Sequence, residues 1–304
     1  MFSTALPALS LITAMLLWSS SFVALKFAFE HYDPMWVIFG RMLVASICFL
    51  LVWRWVARFE YRKGDLKWLA LMVICEPCLY FVFEANALVY TSASQAGMIT
   101  ALAPVLVGVG ALLALKESVA TKTWAGYLIA IVGAVWLSVS AKETDMAPNP
   151  LLGNFLELCA MLCATGYTLC LKHLSQRYST WFLTALQGLC GSVFFFPLLF
   201  LPSTETPVAW SSAGVMAIIY LGTLINIGAY GLFNLGVSKI KASQASAYIN
   251  LIPVFTLVLA FFLLGERYSV AELMACALVI GGVLISQIPE RKRDKWGSQA
   301  LAQE

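Results

Sequence analysis

A motif that occurs twice constrains this chain more than any other feature of its sequence. The segment 91–96 reads TSASQA, and the segment 240–245, 149 residues later, reads IKASQA. A glutamate follows each copy at the same distance, Glu117 in the first and Glu266 in the second. Both copies lie in long apolar stretches, which indicates one membrane module written twice. Such repeats are typical of membrane transporters, whose substrate sites lie where the repeats meet.

The composition excludes a soluble domain. Of 304 residues, 61% are apolar and 12% are charged, whereas soluble domains have about 45–50% and about 25%. The net charge of +3 comes from Lys and Arg between apolar segments, so no nucleic-acid partner is expected. The eight cysteines lie almost entirely in apolar segments, which favours a packing role. Cys75 and Cys78 have a C-x-x-C spacing, so a membrane redox enzyme remains a remote alternative.

The apolar pattern predicts an all-α membrane protein. A membrane-spanning helix needs about 20 apolar residues, and ten segments of the chain approach that length. Short connectors with turn residues or charges separate them, and the longest connector lies between the fifth and the sixth. The predicted spans are 8–28, 34–53, 68–90, 95–115, 123–141, 152–171, 180–201, 212–236, 243–264 and 270–288.

The distribution of basic residues predicts the topology. With a cytoplasmic N-terminus, fifteen of the nineteen Lys and Arg residues fall at cytoplasmic positions, as the positive-inside rule requires. Both termini are then cytoplasmic. Five spans in each half is an odd number, so the second half is inserted with the opposite orientation. We therefore expect two inverted five-helix repeats, at 1–145 and 146–289, and a basic cytoplasmic tail at 290–304. Early in each half the repeat spacing is 146 residues, which aligns Arg41 with Gln187.

Several short motifs carry a family resemblance. They are LWSSSF at 17–22, Pro34 with Arg41, ALVYTSAS at 87–94 followed by Pro104, and LGE at 264–266. In this order and spacing they resemble the drug/metabolite transporter superfamily, EamA-like family. The resemblance implies a ten-helix inverted-repeat carrier with a central cavity, no cofactor and no metal, in the bacterial inner membrane. One departure is Lys116 before Glu117, where the family usually has glycine.

Acidic residues within the apolar spans are the first candidates for a site, because a charge at membrane depth costs about 2.5–3.5 kcal/mol or more. Glu76 and Glu84 lie eight residues apart on one helix face, with Tyr80 and Phe83 between them. A carboxyl group withdrawn from water holds a proton more readily, so either acid could carry a proton or pair with a substrate amine. An internal salt bridge is the alternative. Pro77 predicts a kink beside Glu76.

Two further charged residues lie within the spans. Glu157 lies near the start of the sixth span and could face the cavity or solvent. For Arg41 the resemblance favours a structural ion pair, and a clamp for a substrate carboxylate is the alternative. Polar and aromatic residues near the middle of other spans complete the predicted lining, although packing or an interfacial position is an alternative for each. They are Trp18, Ser20, Met98, Thr100, Tyr167, Asn226, Tyr230, Tyr248 and Asn250.

These features together predict a transporter and not an enzyme. We expect a secondary transporter, an exporter of amino acids or related metabolites, that works by alternating access and is coupled to protons. An uncoupled facilitator or a lipid-precursor flippase is the alternative. The expected partners are a small-molecule substrate and the lipid bilayer. Small residues on the fifth and tenth spans, Gly126, Gly133, Gly281 and Gly282, favour close helix packing and also allow a homodimer.

Overall fold

The computed structural model describes residues 2–56, 62–115, 121–240, 245 and 248–287. Within these ranges the regular structure is helical and contains no strand, which confirms the predicted all-α class. The α-helices, numbered in chain order, are α1 Phe2–Phe29, α2 Pro34–Leu51, α3 Trp53–Val56, α4 Asp65–Val73, α5 Tyr80–Tyr90, α6 Ala93–Ile99, α7 Ala103–Leu115, α8 Thr121–Ser140, α9 Pro150–Leu174, α10 Thr180–Leu198, α11 Ser212–Tyr220, α12 Tyr230–Lys239, α13 Leu251–Leu263 and α14 Val270–Gln287.

Helices begin where the sequence supplies a cap. Asp33 accepts a hydrogen bond from the Met35 amide at 2.8 Å, and Pro34 takes the first position of α2. Asn149 accepts one from the Leu152 amide at 3.1 Å, with Pro150 at the start of α9. These side chains satisfy amides that have no partner within the helix. The cap at Asp33 starts α2 at the predicted residue, 34, while the cap at Asn149 starts α9 two residues before the predicted span at 152.

Eight helical stretches in the described ranges are long and apolar enough to cross a membrane, and two shorter apolar helices, α13 and α14, follow them. These eight stretches and two shorter helices together overlap the ten predicted segments. Some predictions fall outside the described residues, namely those on Glu117, on 241–244 and on the tail at 290–304. The chain is a multi-pass membrane protein, and the number of crossings remains a prediction.

Two long spans are interrupted at related positions. Between α4 and α5 the chain forms a π-helical break at Ile74–Leu79, where Glu76 is extended (φ −151°, ψ 119°). Between α11 and α12 a second π-helical segment occupies Leu221–Ala229, and its position overlaps that of the first at the 149-residue spacing. The first break is the interruption that Pro77 predicts, because proline removes a helical hydrogen bond and its ring clashes with the preceding turn.

The ends of the helices meet in two separate groups. At one end, which we call the Glu266 end, the Lys26 ammonium donates to the Met146 carbonyl at 2.5 Å, and Glu266 accepts from the Ala93 amide at 3.0 Å. At the other end, the Arg177 end, the Arg177 guanidinium binds the carboxylate of Asp65 at 2.6 Å. Successive long helices run alternately between these ends, so odd-numbered and even-numbered spans point in opposite directions.

The fifth and tenth spans pack directly on each other. A Cβ added to Gly282 on α14 would lie 2.7 Å from the Gly126 carbonyl oxygen on α8, and one added to Gly133 would lie 2.8 Å from the Val279 amide nitrogen. Small residues allow this approach of two backbones. Gly126, Gly133 and Gly282 therefore form an internal packing face, while Gly281 has open space at its Cβ position.

Candidate functional site

A small cavity lies inside the bundle, between helices of both halves of the chain. Its volume is about 50 Å³, which is enough for a few water molecules. The long helices α1, α2, α9 and α12 contribute to its wall, as do α5, α7 and the break at Ile74–Leu79. Three charged side chains face it, and they are all from the first half: Arg41, Glu76 and Glu84.

Most of the lining consists of pairs of positions that the repeat relates to each other. Each pair is separated by 146 residues in the early part of the halves and by 149 residues later, the spacings of the sequence repeat. The pairs are Trp18 and Ala164, Ser21 and Tyr167, Phe22 and Thr168, Phe81 and Tyr230, Glu84 and Phe233, Thr100 and Ile249, and Ala103 and Ile252. The cavity thus lies where equivalent surfaces of the two halves face each other.

Arg41 is buried in this wall, with 1% of its surface exposed. Its Nε and Nη2 donate to Asn226 Oδ1 at 3.1 and 2.7 Å, and its guanidinium lies 4.6 Å from the centre of the Phe81 ring. Nη1 lies 4.0 Å from Glu84 Oε2, at the limit of an ion pair. In the described part of the chain neither of these two atoms has a hydrogen-bond partner. Two guanidinium nitrogens of Arg41 are therefore hydrogen-bonded to Asn226, while the third has only a distant carboxylate oxygen beside it.

Glu76 connects the two halves. The hydroxyl of Tyr230, on α12, donates a hydrogen bond to Glu76 Oε1. Extended backbone at Glu76 interrupts the helix here and allows its side chain to face the opposite half. The Tyr230 ring in turn packs edge-on against Trp18, with 5.1 Å between ring centres, and lies 6.4 Å from Tyr167. The acid therefore lies among aromatic rings from both halves.

Glu84 and Glu157 differ in their partners. Glu84 Oε1 accepts a hydrogen bond from the Tyr80 hydroxyl at 2.7 Å. Glu157, on α9, is fully buried, and neither carboxyl oxygen has a hydrogen-bond partner within the described ranges. The expectation that Glu157 could be solvated does not hold, because α9 begins at Pro150 and packs on α5 around that position.

The structure brings some predicted residues together and places others elsewhere. Eight of them line the cavity: Trp18, Arg41, Glu76, Tyr80, Glu84, Thr100, Tyr167 and Tyr230. Seven lie outside the lining: Ser20, Phe83, Met98, Glu157, Asn226, Tyr248 and Asn250.

The seven residues outside the lining have other surroundings. The Ser20 hydroxyl lies 2.5 Å from that of Tyr220, and Met98 belongs to a second hydrophobic cluster around α8 and α14. Tyr248 packs against the main core, and Asn250 is buried with both side-chain amide atoms unpartnered in the described ranges. Phe83 is only half-buried, while Phe81 takes the cavity position.

Ten lining residues were not among the predicted ones: Ser21, Phe22, Phe81, Ala103, Met161, Ala164, Thr168, Phe233, Ile249 and Ile252. Most of them are repeat partners of residues that also line the cavity. Transferring each predicted position to the other half by the repeat spacing would have found Ala164, Phe81, Phe233 and Ile249. Small or apolar side chains such as these are common in membrane spans, so none of them by itself indicates a position in a cavity wall.

The cysteines lie apart from the cavity lining. All eight are free thiols, and Cys75 and Cys78 flank the Glu76–Pro77 break without contributing to the cavity wall. Their positions within buried or half-buried helix faces agree with the packing role that the sequence favours.

Comparison with known proteins gives the same picture along the whole chain. YetK of Bacillus subtilis (strain 168), named an uncharacterized transporter, is 26% identical over 297 residues, which cover 94% of this chain and 88% of that protein. A probable terminal-alkyne amino-acid exporter of Streptantibioticus cattleyicolor is 26% identical over 277 residues, 91% of each protein. A protein solved by crystallography is 20% identical and superposes with a TM-score of 0.66, covering 92% of this chain and 96% of that one. The last comparison shows a shared fold.

The family comparison is more specific. The model of the EamA-like transporter family matches residues 5–139 and, a second time, residues 151–287. The two matches fall on either side of the connector before α9 and together include nearly all of the chain. The relatives that match over most of their length are named as transporters. The chain belongs to the EamA-like transporter family.

Proposed function

We propose that this protein is a secondary transporter that exports amino acids or related small zwitterions by alternating access. The observation that carries the proposal is the cavity of repeat-related residues, in which Arg41 and two acids meet. In inverted-repeat transporters the substrate site lies at the interface of the repeats. The similarity to a relative named an amino-acid exporter supports the same class of substrate.

The charges in the cavity suit a zwitterion. Arg41 Nη1 and Glu84 Oε2 face each other at 4.0 Å, each without a hydrogen bond in the described structure. A substrate carboxylate could bind the guanidinium, and a substrate ammonium could bind the carboxylate. Both charges would then gain the close partners that they lack. Aromatic rings such as Trp18 and Tyr230 would pack against the substrate side chain.

A conformational change must admit the substrate. A cavity of about 50 Å³ holds a few water molecules and no amino acid. At the Glu266 end the halves are tied together, because the Glu266 carboxylate caps α6 at the Ala93 and Ser94 amides and the Ser94 hydroxyl. Gly265, with φ +68°, ends α13 in the left-handed turn that directs Glu266 there. Breaking this contact would open the cavity towards that end.

The orientation follows from the charge distribution. We place the Glu266 end outside and the Arg177 end, which is rich in Lys and Arg, in the cytoplasm. With ten spans, the two five-helix halves are inverted repeats and both termini are cytoplasmic. The related helix breaks at Ile74–Leu79 and Leu221–Ala229 and the two family matches support this arrangement.

Proton coupling is part of the proposal. Three buried acids, Glu76, Glu84 and Glu157, are near a single buried arginine, Arg41, so their full ionisation would leave uncompensated negative charge in the bilayer. Protons or substrate ammonium groups can neutralise it. An uncoupled facilitator and a lipid-precursor flippase remain the alternatives, and the first of them predicts flux that is indifferent to pH.

Transport by purified protein in liposomes tests the proposal, with Glu76→Gln as the decisive variant. A hydrogen bond to a charged group is worth about 1.5–3 kcal/mol, which corresponds to roughly tenfold to a hundredfold in affinity. We expect E76Q to reduce uptake of radiolabelled amino acids by such a factor and to flatten its pH dependence. E143Q, which changes an exposed acid in the connector before α9, is the matched control. Unchanged flux and pH dependence in E76Q would remove Glu76 from the mechanism.

A further inference from the structure

Glu157 is the buried acid that the cavity does not use. None of its surface is exposed, and neither carboxyl oxygen has a hydrogen-bond partner in the described ranges. It lies on α9 one turn after Asn154 and one turn before Met161, which lines the cavity. An ionised carboxylate without partners at this depth would be very costly. The carboxyl group of Glu157 must therefore be protonated, or must bind a cation for part of the transport cycle.

A path of polar side chains leads to Glu157 from the Glu266 end. Glu272, at the start of α14, accepts a hydrogen bond from Gln95 Nε2 at 3.2 Å and others from the exposed Ser269. Gln95 Oε1 accepts from Asn154 Nδ2 at 2.9 Å. The path thus crosses from the surface through α6 to α9 and ends one helical turn from Glu157.

Hydroxyl groups accompany this path. The Thr91 hydroxyl donates to Asn154 Oδ1 at 2.8 Å, and Asn154 Nδ2 also donates to the Ser138 hydroxyl at 3.1 Å. None of the side chains on the path lines the central cavity. These hydrogen-bonded side chains form a polar path that is separate from the central cavity. Amide groups do not carry protons themselves, but hydroxyls and entering water can complete a proton route along them.

At its inner end the path reaches the cavity through Glu84. Helices α9 and α5 are in close contact, since a Cβ on Gly153 would lie 2.6 Å from Thr91 Cβ. Glu84 and Tyr80 of α5 line the cavity together with Met161, which lies on α9 one turn after Glu157, so α5 brings these two groups to the same part of α9. Helices α6 and α7 and the short 3-10 turn between them bring no charged residue to α9. The other described titratable groups on elements that pack against α9 are Tyr90 at the end of α5, Tyr230 on α12, Cys75, Glu76 and Cys78 at the helix break, and Asp65, Lys67, Tyr127 and Lys239 nearer the Arg177 end.

We propose that Glu157 is the loading site of the coupling proton, which enters from the Glu266 end along Glu272, Gln95 and Asn154 and passes to Glu84. The inference rests on the proposed transport function. The proton moves from water to the Glu157 carboxylate and then to the Glu84 carboxylate. Neutral Glu84 no longer binds a substrate ammonium, so a proton that arrives from the Glu266 end releases the exported substrate at that end. Glu157 is left ionised only until the path delivers the next proton.

An infrared measurement tests the protonation of Glu157 without any substrate. Purified protein at neutral pH should show the C=O stretching band of a protonated carboxyl group, and E157Q should lose part of that band. E143Q, which removes an exposed acid, should leave the band unchanged. A band of the same intensity in E157Q and in the parent would overturn the proposal.

A transport measurement then separates coupling from substrate movement. Liposomes containing the protein are supplied with a radiolabelled mixture of the twenty protein amino acids. We expect E157Q to retain exchange at equal pH on both sides and to lose accumulation driven by a pH gradient. Asn154→Leu, which blocks the path without changing an acid, should slow accumulation and spare exchange.

Three results would contradict the proposal. Accumulation that persists in E157Q, or that follows a sodium gradient in the parent, would exclude Glu157 as the proton site. Loss of exchange in E157Q at an unchanged melting temperature would assign Glu157 to substrate movement itself. If the parent moves no amino acid, the proposed function fails, and the infrared band still decides whether Glu157 holds a proton.

Discussion

At the scale of single residues, the buried charged groups in and beside the cavity differ in how many hydrogen bonds hold them. Arg41 has a firm partner in Asn226, which comes from the opposite half and has the repeat position of Pro77. Glu84 has one hydrogen bond, and Glu157 has none in the described structure. Arg41 is thus fixed in position by its hydrogen bonds, while Glu84 and Glu157 have carboxyl oxygens without a partner in the described structure. Asn226 thus holds Arg41 in the cavity wall without lining the cavity itself.

Replacing Asn226 tests that role. Asn226→Ala leaves Arg41 Nε and Nη2 without their acceptor at a buried position, and hydrogen bonds to charged groups are worth about 1.5–3 kcal/mol. We expect the melting temperature of N226A in detergent to fall accordingly. N86A is the control, because Asn86 is half-buried and bonds only the Val82 carbonyl of its own helix among the described contacts. Equal melting temperatures for N226A and the parent would contradict the positioning role.

At the scale of helices, the spans combine two kinds of contact. The α8–α14 pair packs through backbone and small side chains, with Gly282 against Ala130 and Gly126. The spans around the cavity are instead broken at Ile74–Leu79 and Leu221–Ala229. An unbroken, closely packed helix pair is rigid, whereas an interrupted helix exposes backbone groups inside the protein. Helices α8 and α14 therefore form a closely packed support, while the two broken helices contribute Glu76, Tyr80, Tyr230 and other residues to the cavity wall.

Two adjacent glycines provide a matched test of the support. A Cβ at Gly282 would lie 2.5 Å from the Ala130 amide nitrogen, while one at Gly281 would meet nothing within 4 Å. Overpacking of this kind costs about 1–3 kcal/mol, and Gly→Ala at an open helical position gains about 0.5–1 kcal/mol. We expect G282A to lower the melting temperature and G281A to leave it unchanged or raise it. The reverse order would place the packing face, or a dimer contact, on Gly281.

At the scale of the whole molecule, two halves with related surfaces enclose one asymmetric site. The charged residues of the lining come from the first half, while Phe233 and Ile249 take the repeat positions of Glu84 and Thr100. The repeat therefore explains why the two halves present related surfaces, and the residues that differ between the copies explain why the charges come from one half. At the Glu266 end the second half's Glu266 contacts Ser94 in the first, and the repeat-equivalent residues, Glu117 and Ser243, lie outside the described ranges.

The orientation of the molecule can be measured directly. Cysteines are introduced at Lys142 and at Arg62, exposed residues near the Glu266 and Arg177 ends respectively, in a chain whose native cysteines are replaced by alanine. We expect an impermeant thiol reagent to label K142C in intact cells and to label R62C only after the membrane is opened, because basic connectors remain cytoplasmic. Labelling of both from the same side would refute the ten-span topology.

Most of the helices could be predicted from the sequence because the bilayer imposes their length. About 20 apolar residues must span the hydrocarbon core with every backbone group bonded inside a helix, so apolar runs mark the helices at 34–53 and 180–201 without tertiary information. The cap at Asn149 starts α9 two residues before the predicted span. Pro77 marked the break in the third span, because proline cannot complete the hydrogen-bond pattern of a helix.

The helical class, the repeated module and the presence of acids in apolar spans follow from the sequence alone, since length, apolarity and the cost of buried charge are local properties. The partners of those acids depend on tertiary packing. Whether Glu76 reaches Tyr230, or Asn226 holds Arg41, depends on how residues some 150 to 190 positions apart approach each other. Helix periodicity indicates which residues share a face, but close packing between helices decides what that face meets.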